Sequence, residues 1–441
     1  MLQSLPQGVS QLLCRLEDAG FAAYLVGGCL RDGLLGKQPT DWDVATAALP
    51  EQVKTLFADA RVIETGLQHG TVTVILDSVQ MEVTTFRKDG DYVDHRRPQQ
   101  VTFTPSIQED LARRDFTVNA MAYSPIRGLE DPFDGRADLQ AGILRAVGDP
   151  NRRFQEDALR ILRLVRFCAT LGFEVEASTA AAALEQRHLL DHIAAERVLQ
   201  ELEKLLMGAA WVPALRQFTP VITQVLPELA PSVGFDQNNY HHLYDVWEHT
   251  LHAMEACAPD RLVRWALLLH DCGKPHCYTV DFRGDGHFYG HAAIGTELSK
   301  TALERLRMDT RSKDEILALI YHHDHDLFAT DQSLRRWLNR LGEDTLRRLL
   351  LVKRADNKGQ APKFDRTTEY DRAEEMLNQV LAREECFGLR QLAVGGNDVM
   401  ALGYQGPAVG IALNHALEAV ISGTCKNETS ALLEYLKKNL R

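Results

Sequence analysis

The stretch Val26-Gly27-Gly28-Cys29-Leu30-Arg31-Asp32, followed by Leu34-Leu35-Gly36 and then by Asp41-Trp42-Asp43, decides how the first third of this chain reads. Paired glycines let a phosphate approach backbone amides closely, because no Cβ blocks the way and φ is free. Asp41 and Asp43 lie one residue apart on an expected strand, so both carboxylates point to one face and can share a divalent metal. Either feature alone is an ordinary turn or a solvated loop. In this order, with Asp41 thirteen positions after Gly28, they read as a grip for a nucleoside triphosphate activated by Mg²⁺.

Outward from that stretch, strands are expected at Ala23 to Val26, Thr71 to Leu76 and Met81 to Phe86, with Glu82 and Thr84 sharing a face. Ser10 to Ala19 reads as an amphipathic helix. Residues 1–148 are thus an α/β head built on a small mixed sheet. From Asn151 the pattern turns helical: Ala158, Ile161, Leu162 and Val165 form an i, i+3, i+4, i+7 stripe. The expected organisation is head 1–148, helical neck 149–210, connector 211–237 around Pro220, Pro227 and Pro231, all-helical unit 238–360 and helical tail 361–441.

With 441 residues, 45% hydrophobic and 25% charged, the chain is too long for one core and ordinary for a globular protein. The start, MLQSLPQGVSQLL, shows neither a basic n-region nor a small-residue cleavage site, and no apolar run reaches membrane-spanning length. The expectation is a cytoplasmic chain without a membrane partner. Eight cysteines without a Cys-x-x-Cys pair read as reduced and mostly buried. A net charge of −12 argues against promiscuous nucleic-acid binding. Yet Arg96-Arg97, Arg113-Arg114, Arg152-Arg153, Arg160, Arg163 and Arg166 concentrate cations in the first 170 residues, which suits selective RNA contact. No coiled-coil heptad or internal repeat is readable, so the oligomeric state stays open.

Two further segments carry chemistry. Asp110-Leu111-Ala112-Arg113-Arg114-Asp115 sets two arginines between acids, and an arginine fork oriented by carboxylates suits phosphate oxygens. Glu156-Asp157-Ala158-Leu159-Arg160-Ile161-Leu162-Arg163-Leu164-Val165-Arg166 reads as a helix on which Asp157 and Arg160, and Arg160 and Arg163, are i, i+3 neighbours. A carboxylate beside a guanidinium can pair with the Watson-Crick edge of a base.

The order GGCLRDGLLG, DWD, RRDFTVNAMA, DPFDGRADL and EDALRILRLVRF, all within residues 24–170, resembles the class II tRNA nucleotidyltransferases, the CCA-adding enzymes and their poly(A) polymerase relatives. The resemblance implies that Gly28 and Arg31 contact the triphosphate, with Arg113 or Arg114 helping. It implies that Asp41 and Asp43 hold Mg²⁺, with Glu82 as candidate third carboxylate. Asp157, Arg160, Arg163 and Arg166 match the family's base-reading helix. The substrates implied are the tRNA 3′ end, CTP and ATP. Arg87 to Pro98 resembles the family's flexible loop, which favours full CCA addition or A addition over CC addition alone.

Eleven of sixteen histidines fall between His241 and His325. The series His249, His270-Asp271, His291, His322-His323 and Asp356 looks like an HD domain, a helical metal-dependent phosphohydrolase fold. That likeness implies a transition-metal site on His249, His270, Asp271 and Asp356, with His291 and His322 as further candidates. Three readings follow: a template-independent nucleotidyltransferase building the tRNA CCA end, an A-adding enzyme or poly(A) polymerase, or an HD phosphohydrolase or nucleotide-signalling enzyme.

Overall fold

The computed structural model describes residues 5–67, 70–90, 101–327, 330–383 and 385–439. Two compact units divide the chain, Met1–Pro227 and Glu228–Arg441.

In the first unit the strands are β1 (Ala23–Val26), β2 (Trp42–Thr46), β3 (Arg61–Gly66), β4 (Thr71–Leu76), β5 (Val79–Thr85), β6 (Arg87–Asp89), β7 (Val101–Phe103), β8 (Ala122–Ser124) and β9 (Gly128–Glu130), besides a short parallel pair, Ile143–Leu144 with Glu174–Val175. Seven of them form one sheet in the order β3-β4-β5-β2-β1-β8-β9. Only the β2–β5 pair is parallel, so the sheet is mixed as expected. Alternation explains why β1 is apolar throughout: Ala23 and Leu25 join the core beneath α1 (Gln7–Asp18), while Tyr24 and Val26 face a second cluster with Phe86, Ile107 and Leu111. Helix α1 contributes Val9, Leu12, Leu13 and Leu16, each burial favouring the fold by about 1.5–3 kcal/mol.

Helix α2 (Gly27–Leu34) follows β1 directly, and α3 (Pro50–Leu56) follows β2. Helix α4 (Ile107–Ala112) starts at Ser106, whose side chain accepts from Glu109 N, and ends at Arg113. After α5 (Gly135–Ala141) come α6 (Pro150–Glu156), α7 (Leu159–Leu171), α8 (Ala177–Glu185), α9 (Ala195–Leu206), α10 (Trp211–Gln217) and α11 (Thr219–Val225). The expected connector 211–237 therefore holds two helices, because Trp211, Val212, Leu215, Val221, Ile222 and Val225 bury an apolar face. Two of its prolines sit where α-helices tolerate them, Pro220 in the first turn of α11 and Pro227 beyond its end, while Pro231 lies inside the 3-10 turn Pro227–Ser232.

The second unit is helical: α12 (Val246–Glu255), α13 (Arg261–Leu269), α14 (His291–Arg305), α15 (Thr310–His322), α16 (Asp331–Lys358, broken at Gly342 with φ +76°), α17 (Thr367–Ala382), α18 (Gly396–Ala401), α19 (Pro407–Ile421) and α20 (Thr429–Asn439). Val399, Ala412, Ala416, Leu417, Leu432 and Leu436 centre a separate core at its end. Among the described residues no helix is long and apolar enough to cross a membrane, and all eight cysteines are free.

Candidate nucleotide site and candidate metal centre

Parallel pairing sets Asp43 of β2 opposite Glu82 of β5. Their neighbours Trp42, Val44, Met81 and Val83 all enter the core beneath α1, so alternation turns Asp43 and Glu82 to the other face; Asp41, expected on the strand, lies in the bend just before β2 and lines the same hollow as they do. Burial, then the Glu82 charge, pushes the Asp43 carboxyl up; Arg114 opposes this and Asp41 adds to it. Like charges gathered at a half-buried point are what a divalent cation relieves, so these residues fit one.

Asp43 is a wall between two hollows. One, of about 660 Å³, is lined by Thr40, Asp41, Trp42, Ser78, Gln80 and Glu82. The other, of about 420 Å³, runs from Gly27 and Gly28 past Arg31, Arg113 and Arg114 to Asp157, Arg160, Arg163 and Arg166. Gly27 turns at φ +68°, and a Cβ there would lie 3.2 Å from Arg114 Nη1 and 3.4 Å from Asp43 Oδ2. The glycine is required by both conformation and space.

The arginines of this hollow are held in place. Arg31 is buried, donating from Nη1 to Asn119 Oδ1 at 2.8 Å and from Nε to Asp32 at 2.9 Å. Arg113 and Arg114 share the buried Asp110 carboxylate, at 2.7 and 3.2 Å. Burial would raise Asp110, but the two guanidiniums outweigh it and hold it below the usual carboxylate range. Arg114 Nε is buried without a hydrogen-bond partner among the described residues.

Asp157 departs from expectation. It ends α6 in an extended conformation (φ −138°, ψ 101°), and its Oδ1 accepts from Leu159 N at 3.1 Å. Aspartate competes for backbone donors and so breaks the helix here rather than continuing it. Its partner is Arg197 of α9, at 3.5 Å, while Arg160 pairs with Glu156 at 3.1 Å. Arg160 also donates to Arg153 O at 3.1 Å and Arg113 O at 2.7 Å, which fixes its fork. Arg163 pairs with the buried Asp115; burial would raise that acid, but Arg163 dominates and holds it far below the usual range. Arg166 stands 2.9 Å from Glu201 and 4.0 Å above the Phe167 ring, and burial lowers its guanidinium to about 10. The guanidiniums of Arg31 and Arg163 also lie over Phe167, at 5.1 and 5.4 Å.

Asn119, Arg197 and Phe167 line the hollow without having been singled out. Asn119 stands in the RRDFTVNAMA stretch and Phe167 closes EDALRILRLVRF, whereas nothing in the sequence marked Arg197. Of the loop Arg87 to Pro98, residues 91–98 lie outside the described residues.

In the second unit, His249 of α12, His270 and Asp271 after α13, and Asp356 of α16 converge in the interior. His249 Nε2 is 2.9 Å from Asp356 Oδ1 and 3.4 Å from Asp271 Oδ2; His270 Nε2 is 3.3 Å from that same oxygen. Nδ1 of His249 faces Gly359 O at 3.0 Å and Nδ1 of His270 faces Leu267 O at 2.7 Å, which turns each Nε2 toward the carboxylates. His270 Nε2 is buried without a hydrogen-bond partner among the described residues, while Asp271 Oδ2 has the Lys274 ammonium at 2.7 Å. Burial would lower His270, but Asp271 and Asp356 outweigh it and raise it to about 10. An imidazole-carboxylate set whose Nε2 and carboxylate oxygens converge inward fits a transition metal.

His291 joins this cluster, whereas His322 does not. Successive helical residues point about 100° apart, and His323 faces Asp271 while His322 stacks edge-on against Trp337 at 5.0 Å.

The sequence matches the poly A polymerase head domain over residues 23–145, the probable RNA- and SrmB-binding site of polymerase A over 172–232, and the HD domain over 239–358. It is 49% identical over 211 residues to the CCA-adding enzyme of Leuconostoc mesenteroides, covering 47% of this chain and 52% of that one. The chain thus spans about half the length of the first curated relatives it matches. It is 35% identical to the CCA-adding enzyme of Levilactobacillus brevis across 98% of both chains. A crystal structure of the Bacillus stearothermophilus CCA-adding enzyme in complex with CTP superposes with a TM-score of 0.73, at 33% identity, over 98% of this chain and 96% of that one.

Proposed function

The chain belongs to the CCA-adding enzyme family, and on that footing we propose that it adds or repairs the 3′-terminal CCA of tRNA from CTP and ATP, without a template. The observation that carries this reading is the single hollow whose wall holds Asp43, the Gly27-Gly28 turn and the α7 arginines together. The likeness to a relative crystallised with CTP supports it.

The tRNA 3′-hydroxyl oxygen bonds to the α-phosphorus, the bond to the bridging oxygen breaks, pyrophosphate leaves, and the hydroxyl proton passes to solvent. Asp41, Asp43 and Glu82 would hold Mg²⁺ there, whose charge would supply acidification of that hydroxyl and neutralisation of the departing pyrophosphate. Gly27 and Gly28 admit the triphosphate, and Arg31, Arg113 and Arg114 bind its oxygens in orientations fixed by Asn119 and Asp110. Asp157, steadied by Arg197, and the anchored forks of Arg160 and Arg163 face the base. A fork fixed beforehand loses little entropy on pairing, so it discriminates better than a mobile one.

In this division the head 1–148 performs transfer and the neck 149–210 chooses the base. Residues 238–360 are a second site, where a transition metal on His249, His270, Asp271 and Asp356 would serve phosphoester hydrolysis on nucleotides or RNA ends. There a water oxygen bonds to phosphorus, the P–O ester bond breaks, and the leaving alcohol takes up a proton. Working on tRNA, the protein acts in the cytoplasm.

Incubating tRNA that ends before CCA with CTP, ATP or both, then sequencing the products, tests the transfer reading. CTP alone should give CC, and both nucleotides CCA. Incorporation of ATP alone onto a CC end, with none from CTP, would make the chain an A-adding enzyme or poly(A) polymerase.

A further inference from the structure

Three aromatic rings of the second unit stand in solvent on segments that lead to the histidine-aspartate cluster. Phe282 is 91% exposed, Tyr289 77% and Tyr240 59%. Single exposed apolar side chains are ordinary, whereas grouped ones mark a surface that meets something.

The rings are held on a fixed frame. Phe282 sits at the turn of a hairpin whose strands are Thr279–Val280 and Gly286–His287. Asp281 Oδ1 locks that turn, accepting from Arg283 N at 2.8 Å and from Asp285 N at 3.0 Å. The hairpin is tied to the segment that carries Tyr240: Gly286 N donates to Asn238 O at 2.8 Å, and Asn239 Nδ2 donates to Gly286 O at 2.8 Å. A Cβ at Gly286 would lie 2.4 Å from Gln237 O, so this close approach requires glycine. Both segments run on to the cluster. Tyr289 precedes His291 by two residues, and the ring of His242 stands edge-on to that of His249 at 5.0 Å.

Cations accompany the rings. Lys363 Nζ lies 5.2 Å from the Tyr240 ring centre and 5.0 Å from that of Phe364, and Arg283 lies 5.2 Å from that of Phe282. Neither cation makes an ion pair among the described residues. His241 stacks between Phe364 and Tyr240, at 3.9 and 4.3 Å, and His287 lies parallel to Tyr289 at 5.2 Å. Each stack thus ends on a ring open to solvent. Single-stranded nucleic acid meets such a surface well, because every base has a face to stack on a ring and every phosphate can take a cation. The unpaired cations favour a polyanion over an apolar protein face.

We propose that Phe282, Tyr289 and Tyr240, with Arg283 and Lys363, form a stacking surface for single-stranded RNA that delivers the strand's end to the metal cluster. Delivery rests on the phosphoester-hydrolysis reading of residues 238–360; the stacking surface does not. Several rings engage several bases, so a strand is held more tightly than a mononucleotide.

The metal-free full-length chain is irradiated with a short oligouridylate carrying 5-iodouridine, and the cross-linked residues are identified by mass spectrometry. Cross-links are expected at Phe282, Tyr289 or Tyr240. Phe282→Ala and Tyr289→Ala alter exposed side chains on which folding does not depend. Each should raise the oligonucleotide concentration for half-maximal cross-linking at the remaining rings about fivefold or more. Cross-links confined to Phe167 and the rest of the head overturn the proposal. So does a dimer in sedimentation that Phe282→Ala dissociates, without cross-links at these rings, which would assign the surface to a second copy of the chain. Hydrolysis by the Co²⁺-loaded chain is followed in parallel, on bis-p-nitrophenyl phosphate and on the oligouridylate ending in a 2′,3′-cyclic phosphate. Phe282→Ala should raise KM for the oligonucleotide about fivefold relative to that for bis-p-nitrophenyl phosphate; an unchanged ratio overturns delivery. Cross-links at these rings without hydrolysis of either compound uphold the stacking surface and remove the phosphohydrolase reading; hydrolysis without such cross-links does the reverse.

Discussion

At the scale of single residues, Asp43 concentrates the head's chemistry, because it borders both hollows and meets Glu82 across the ladder. Replacing it with alanine should cut nucleotide incorporation by about a thousandfold or more, since several kcal/mol of charge stabilisation disappear. Single-turnover assays measure this, with circular dichroism unchanged. The raised pKa of Asp43 has a signed consequence. An acid shifted upward takes its proton at a higher pH than the ordinary aspartate value of about 3.9, so cation binding weakens early on the acid side. The acid limb of the pH-rate profile should therefore move to lower pH as Mg²⁺ concentration rises. A limb indifferent to Mg²⁺ would speak against Asp43 as the titrating group. Asp41 and Asp43 were legible in the sequence because alternation on a strand is local; the anchoring of Arg31 by Asn119, 88 residues away, was not.

Between elements, α9 makes two ion pairs, Arg197 with Asp157 at the break before α7 and Glu201 with Arg166 of α7. In the second pair Glu201 is buried and Arg166 largely so. Glu201→Ala leaves a guanidinium uncompensated and should cost about 3–5 kcal/mol, read from the denaturation midpoint at constant m-value. Arg197 holds Asp157 and lines the same hollow, so Arg197→Met should relax the preference for CTP and ATP over UTP by about tenfold, chiefly through KM. Rescue by Arg197→Lys, and an unshifted thermal midpoint, would separate positioning from mere support. A thermal midpoint that fell together with selectivity would count against it. The apolar stripe of α7 was readable from its spacing, whereas the break at Asp157 depends on a side-chain competition for Leu159 N that periodicity does not report.

For the whole molecule, a net charge of −12 surrounds a hollow lined by Arg31, Arg113, Arg114, Arg160, Arg163 and Arg166. Such a distribution repels nucleic acid in general and admits it at one place. If three phosphate contacts form on a single-stranded end, affinity for tRNA should fall about twentyfold between 50 and 200 mM salt, with a log-log slope near −2. Filter binding across that range checks it; a flat response would show that these arginines do not meet phosphate.

The sequence by itself determined the order of parts: a mixed-sheet head with its glycine turn and paired aspartates, a helical neck bearing arginines every third residue, and a histidine-rich helical unit. Each of these depends on local spacing and backbone geometry, which the chain states directly. Tertiary structure alone decided which partner each charge takes: Asp115 for Arg163, Arg197 for Asp157, and His323 in place of His322 beside Asp271. Those choices join residues far apart in the chain, where the rotation of a helix by one residue, or a single capping hydrogen bond, determines which side chain enters the site.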